Sequence, residues 1–206
     1  MLAVDHVIIG VENLDEASSR FAVEHGLQSV FGGRHAGMGT ANHIVPLRRD
    51  YLELLAVVDA DEFSRTGLTL PAPESFAGWM ARTDDIHEVA GRLGLSVRSL
   101  SRQREDGSVI EWHLAGLELL GRDPALPVFI DWSPDDEHHP ARMPVDHKTA
   151  VTGIAWIELQ GDPERIARWC KGGDLPLRVT EGPSAVLAVG LSTADGEIEL
   201  RYPTPG

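Results

Sequence analysis

One local plan recurs three times along this sequence: a short apolar strand, a turn, a helix, then three further strands. The first copy opens at LAVDHVIIGVENLDEA (from Leu2), the second at GWMARTDDIHEVAGRL (from Gly78), the third at GIAWIELQGDPERIARW (from Gly153). A repeat of this size confines the chain to folds in which each unit completes a small sheet and leans on its neighbours. The closing strands repeat as well: YLEL at Tyr51–Leu54, FIDW at Phe129–Trp132 and EIEL at Glu197–Leu200. Each sets one carboxylate, Glu53, Asp131 or Glu199, between apolar neighbours.

Period-two alternation in the first strand predicts Leu2, Val4, His6 and Ile8 on one face and Ala3, Asp5, Val7 and Ile9 on the other. Asp15 is the N-cap candidate for a helix over Glu16–His25, which Gly26 stops. A strand at Gln28–Phe31, a glycine-rich loop at Gly32–Asn42 and a hairpin of His43–Leu47 with Tyr51–Val58 complete module 1, residues 1–58. Residues 59–76 read as a connector. Module 2, residues 77–132, is predicted to have strands at Gly78–Thr83, Val97–Arg102, Val109–Ala115 and Pro127–Trp132. Its helix, Ile86–Leu93, lies between a cap at Asp84 or Asp85 and Gly94, and Asp106-Gly107 signals a tight turn. Residues 133–150 are polar and carry three prolines, as a linker would. Module 3, residues 151–206, has a strand at Thr152–Leu159 and a helix from Asp162-Pro163 to Lys171. Strands at Leu177–Thr180, Ala185–Leu191 and Glu197–Tyr202 follow. The predicted class is α+β, built from repeated βαβββ modules.

Charge narrows the partners. With 18 basic residues against 32 acidic ones and a net charge of −14, the chain lacks the Lys/Arg surplus that phosphate backbones and anionic membranes require. A small molecule is the expected partner. The longest apolar runs, such as Leu52–Val58, are too short for a membrane span, and the MLAVDH start has no signal-peptide pattern. Cys170 is the only cysteine, so no internal disulfide forms, which fits a reducing cytoplasm.

The repeated βαβββ units, the first strand DHVIIGVENLDEA and the fourth strand YLELLAV resemble the vicinal oxygen chelate superfamily, which includes glyoxalase I, extradiol dioxygenases and fosfomycin-resistance enzymes. More narrowly, GGRHAGMGTANHIVPL followed by YLELLAV is similar to the glyoxalase-like domain proteins. The resemblance implies two paired modules whose sheets curl into an incomplete barrel, a curved mixed sheet around a pocket. It also implies a divalent metal (Zn, Ni, Mn, Co or Fe(II)) held by a first-strand histidine and a fourth-strand glutamate. Module 1 matches at His6 and Glu53; module 2 has Ala77 or Gly78 and Asp131; module 3 has Gly153 and Glu199. Only one full pair is therefore present.

Glu53 and Asp131 are accordingly the candidate catalytic carboxylates, and His6 with Glu53 the candidate metal ligands. His35, Thr40, Asn42 and His43, around the glycine-rich loop, are candidate substrate contacts. Arg82 is placed to pair with Asp131 or to bind an anion; a surface position is the alternative. Trp112 and Trp132 are substrate-contact candidates, with plain core packing the competing reading. His138-His139 in a polar linker suits a solvated pair, or His139 a lid over the pocket. The loop lacks a P-loop Lys-Ser/Thr and GxGxxG spacing, so no nucleotide cofactor is expected. Three readings stay open: a metal-dependent lyase, isomerase or dioxygenase acting on an oxygen-rich molecule; a metal-free binding or sequestering protein; and a pairing module without ligand. An unpaired edge in the third module predicts a homodimer.

Overall fold

The computed structural model describes residues 1–103, 109–132 and 138–202; the Asp106-Gly107 turn expected from sequence lies outside them. The first half of the chain runs β1 (Ala3–Gly10), α1 (Leu14–Glu24), β2 (Val30–His35), β3 (Thr40–Pro46), β4 (Tyr51–Val57) and a short α2 (Ala60–Ser64). Then follow β5 (Ser75–Arg82), α3 (Ile86–Leu93), β6 (Val97–Gln103), β7 (Val109–Ala115) and β8 (Val128–Asp131). The remainder is β9 (Val151–Gly161), α4 (Pro163–Trp169), β10 (Leu177–Glu181), β11 (Ala185–Thr193) and β12 (Gly196–Arg201). The class is α+β.

β1 to β8 form one eight-stranded sheet, curled into a half-barrel, in the order β2-β3-β4-β1-β5-β8-β7-β6. β1 pairs in parallel with β4, β5 pairs in parallel with β8, and β1 meets β5 antiparallel at the centre. The halves are thus related by a pseudo-twofold at the β1/β5 seam. One face of the sheet buries Val7, Ile9, Trp79 and Phe129 against Phe21 of α1, Ile86 of α3, Ile166 of α4 and Ile157 of β9. The other face carries Ile8, Leu55, Met80, Leu114, Ile130 and Trp132. β9 to β12 make a separate four-stranded sheet, ordered β10-β9-β11-β12. Here the first strand pairs with the second and third instead of the fourth. The third repeat thus shares its element order with the others but not their strand order. Its β12 edge exposes Glu199, which accepts a hydrogen bond from Arg201.

Several local features differ from the sequence reading. β1 does not alternate simply. Between Val4/Ala81 and His6/Met80 it has one residue more than β5, so Asp5 is a bulge. Leu2 and Val4 consequently join Val7 and Ile9 in the helix-side core, while His6 and Ile8 face the other way. Asn13, not Asp15, caps α1, its side chain accepting from the N–H groups of Asp15 and Glu16. Most of the glycine-rich stretch is ordered as β2 and β3, joined by a turn over 36–39. In the expected linker, Pro140–Arg142 forms a 3₁₀ turn with Ala141 buried against Ile44 and Tyr51. α3 starts at its Asp85 cap and ends at Gly94, whose φ of 70° places it in the left-handed region that favours glycine. Among the described residues no helix is long and apolar enough to cross a membrane.

Candidate functional site

The concave face of the half-barrel encloses a cavity of about 110 Å³. Its two sides differ in character. β1 to β4 contribute His6, His35, Thr40, Asn42, Tyr51 and Glu53; β5 to β8 contribute Met80, Leu100, Trp112, Leu114, Ile130 and Trp132. Among the described lining residues none is Lys or Arg.

A continuous line of hydrogen bonds runs along the polar side. Asp5, turned in by its bulge and fully buried, accepts from His6 Nδ1 on one oxygen (2.7 Å). Its other oxygen accepts from His139 Nε2 (2.8 Å) and Trp132 Nε1 (3.1 Å). His139 Nδ1 accepts from the Ala141 N–H, so its proton sits on Nε2 and the ring is neutral. With Nδ1 tied to Asp5, His6 presents Nε2 to Glu53, 3.4 Å from Oε2. Tyr51 stacks on the same imidazole, ring centroids 4.2 Å apart and planes 18° from parallel. Asn42 Nδ2 donates to Glu53 Oε1 (2.5 Å) and lies 3.3 Å from His35 Nε2. An amide nitrogen facing that ring nitrogen makes it an acceptor, so His35 carries its proton on Nδ1, directed at Thr40 Oγ1 (2.9 Å).

Charge follows from these contacts. Burial pushes the Asp5 carboxyl up, but hydrogen bonds from His139 and His6 outweigh it and hold Asp5 well below the usual carboxylate range. Burial likewise pulls His6 down, yet hydrogen bonds with Asp5 and Glu53 lift it to about 9. Glu53, desolvated but bonded to His6 and Asn42, is held below its ordinary value. At neutral pH the floor of the pocket is a carboxylate, an imidazolium and a second carboxylate in a row.

The register across the seam identifies what the other half offers. His6 pairs with Met80 and Ile8 with Gly78, one on each side of the Val7/Trp79 pair, and Ile8 pairs with Glu53 as Met80 pairs with Val128. The bulges at Asp5 in β1 and Ala77 in β5 lie symmetrically about the Val7/Trp79 pair, so the counterpart of His6 is Gly78, one of the two positions the sequence offered, and that of Glu53 is Val128, not Asp131. A divalent ion needs at least three well-placed donors. Among the described residues no group of three His, Cys, Asp or Glu side chains is placed to hold one. The donor set of the described residues does not fit the implied metal.

The structure brings His6, His35, Thr40, Asn42, Glu53, Trp112 and Trp132 to one cavity. It does not bring the others there. Asp131 is buried but lies on the face of β8 opposite Ile130 and Trp132, because alternation sends only every second residue inward. His43, between inward Asn42 and Ile44, instead contacts Ser29 Oγ (3.1 Å) and the Phe31 ring. Arg82 stands at the end of β5 outside the cavity lining. His139 is 2% exposed and anchored on Asp5, so it is neither solvated nor a lid, although the next residue, Pro140, borders the cavity. Gly153, where the third module would carry a histidine, packs beside Arg49 and Asp50, away from the pocket. Asp5 and Tyr51 were not anticipated as site residues; the only sequence signal for Asp5 is an acid directly before His6 in an apolar strand.

A half-barrel of two βαβββ units joined at their first strands and closed round a pocket is the architecture of the vicinal oxygen chelate superfamily. Within it, the sequence model of the glyoxalase-like domain matches residues 4–172, and the chain belongs to that family. No protein of curated function matches the sequence. Among solved structures, a hypothetical protein from Staphylococcus aureus is 19% identical, with a TM-score of 0.74 over 95% of this chain and 93% of its own. A Streptomyces coelicolor methylmalonyl-CoA epimerase, in complex with 2-nitronate-propionyl-CoA, is 15% identical, with a TM-score of 0.46 over 63% of this chain and 96% of its own. The Mycobacterium tuberculosis methylmalonyl-CoA epimerase is 16% identical, with a TM-score of 0.45 over 64% and 88%.

Proposed function

We propose that this protein captures a small, largely apolar molecule in the half-barrel pocket, and does so without a divalent metal. Glu53 and His6 recognise the polar end of that molecule. The observation that carries this reading is the asymmetry of the half-barrel: Gly78 and Val128 stand in the second half where His6 and Glu53 stand in the first, so the second half offers no matching ligand pair. The protonation states agree with it. An acid–base catalyst works best with a pKa near the working pH. Here, against desolvation, hydrogen bonds with Asp5 and Glu53 lift His6 to about 9, and contact with His6 holds Glu53 below its ordinary value. A fixed ion pair recognises; it exchanges protons poorly.

The rival reading, a metal-dependent lyase, isomerase or dioxygenase, draws on one observation: Asp5 grips His6 Nδ1 and leaves Nε2 turned towards Glu53, as acids behind metal-bound histidines do. Metal content separates the two. Protein purified without chelators or a His-tag, and a His6→Ala/Glu53→Ala variant, are analysed for bound metal and for thermal stabilisation by Ni, Zn, Mn, Co and Fe(II). No metal and no stabilisation support capture without metal. Stoichiometric metal that the variant loses overturns it. Self-association through an edge of the smaller sheet belongs to the same proposal, and sedimentation velocity decides between the monomer mass and twice that value.

A further inference from the structure

The charges around the cavity restrict what can enter it. Two buried carboxylates, Asp5 and Glu53, flank His6. His139, whose Nδ1 accepts from the Ala141 N–H, adds no positive charge. Asp5, His6 and Glu53 together are negative by one charge with His6 protonated, and by two without. No Lys or Arg among the described lining residues offsets this. The same cavity is lined by Trp112 and Trp132, with ring centroids 5.5 Å apart and planes inclined by 38°. A negative floor in a pocket lined by two indoles attracts cations through the carboxylate and through the ring quadrupoles. An anion brought here would lose its hydration and find no cation free of an acidic partner.

From this arrangement, and resting on the reading of the half-barrel as a binding pocket, we propose that the ligand is a small amphiphile with a cationic, ammonium-type head against Glu53 and an apolar body against Trp112 and Trp132.

Three probes of matched shape test it on the intact protein: 2-phenylethylamine, 2-phenylethanol and phenylacetate, titrated by calorimetry and by tryptophan fluorescence at neutral pH. The ammonium is expected to bind about tenfold or more tighter than the carboxylate, with the alcohol between them. Glu53→Gln is expected to abolish that ranking, the ammonium losing its advantage over the carboxylate. The ranking on the unsubstituted protein decides the matter even if the variant does not fold. Equal or tighter binding of phenylacetate overturns this inference and leaves the binding pocket standing. Failure of all three probes overturns both.

Discussion

His6 and Glu53 meet at the floor of the half-barrel with Nε2 and Oε2 3.4 Å apart, each residue otherwise enclosed by protein. The meeting depends on Asp5. Without the hydrogen bond it accepts at 2.7 Å, His6 Nδ1 would lack a partner in a buried site. One bulged residue thus sets the tautomer, orientation and charge of the pocket floor.

The charge state of His6 is directly measurable. Its folded pKa of about 9 lies above the unfolded value of 6.5, so protonation favours folding. That contribution is fully present below about pH 6.5 and is lost as pH rises through 9. Imidazole NMR signals assigned to His6 are expected to report the protonated ring at pH 7.5 and to titrate near 9. Asp5→Asn should lower that midpoint by at least one unit. It should also destabilise the fold by roughly 3–5 kcal/mol in denaturant unfolding, since His139, His6 and Trp132 then share one neutral acceptor. A midpoint unchanged in the variant would remove Asp5 from its assigned role.

Asp50 ties the two sheets together and gives a pH dependence of the same sign in a lower window. Its carboxyl, 6% exposed after β3, accepts from the Ile154 N–H of β9 at 2.9 Å. Burial raises its pKa from 3.8 to about 7, and the Ile154 bond only partly opposes that. Between these values the folded state binds more protons than the unfolded one, so stability falls as pH climbs from about 4 to 7 and then levels. Asp50→Asn keeps an acceptor for Ile154 and should flatten that slope. The variant should become the more stable protein above pH 7, by up to roughly 4 kcal/mol. Urea unfolding at pH 5 and pH 8 gives the comparison; a variant less stable at both values would count against the protonation argument.

His139 belongs to the strap at Pro140–Arg142, and the two are expected to stand or fall together. Its ring donates to Asp5, accepts from the Ala141 N–H and packs edge-on to Trp132 and Tyr51. His139→Ala opens a cavity and removes one of three donors from a buried carboxylate. The expected cost is about 2–4 kcal/mol, with faster amide exchange at Ala141 and Arg142. A loss below about 0.5 kcal/mol would mean that the strap is held by other contacts.

Parts of this architecture are legible in the chain itself, and the illegible parts share a cause. α3 could be bounded to the residue because Asp85 and Gly94 mark its ends with local chemistry. Glu53 stood out because an acid inside YLELLAV must find a partner wherever that strand is buried. The bulge at Asp5 leaves no local mark: inserting one residue changes which side chains face inward, while the string of residues still reads as alternating. The counterpart of Glu53 was sought at the nearest acid, Asp131, but register selects Val128, and register is a property of two strands together. His139 reads as a solvated linker histidine because the carboxylate that buries it lies 134 residues away in sequence. Short-range signals survive in the sequence; partners contributed from a distance do not.

Gly32 provides a test of the polar side that leaves every hydrogen-bonding group in place. A Cβ at Gly32 would overlap Asn42 Oδ1 and come within 2.9 Å of Ile44 Cγ1. Asn42 cannot yield freely. Its Nδ2 is held by Glu53 and faces His35, and its buried Oδ1 has no hydrogen-bond partner to preserve. Gly32→Ala must therefore push the amide off Glu53 or spread β2 from β3, at an overpacking cost of about 1–3 kcal/mol. Displacing the amide leaves Glu53 Oε1 without its donor and frees the carboxylate to turn fully to His6. The variant is thus expected to melt lower and to raise the His6 midpoint further, without any change to an ionisable residue. Thermal denaturation and the same imidazole titration check both. A lower melting temperature with an unmoved His6 midpoint would show that β2 absorbs the strain and that Asn42 does not hold Glu53 in position.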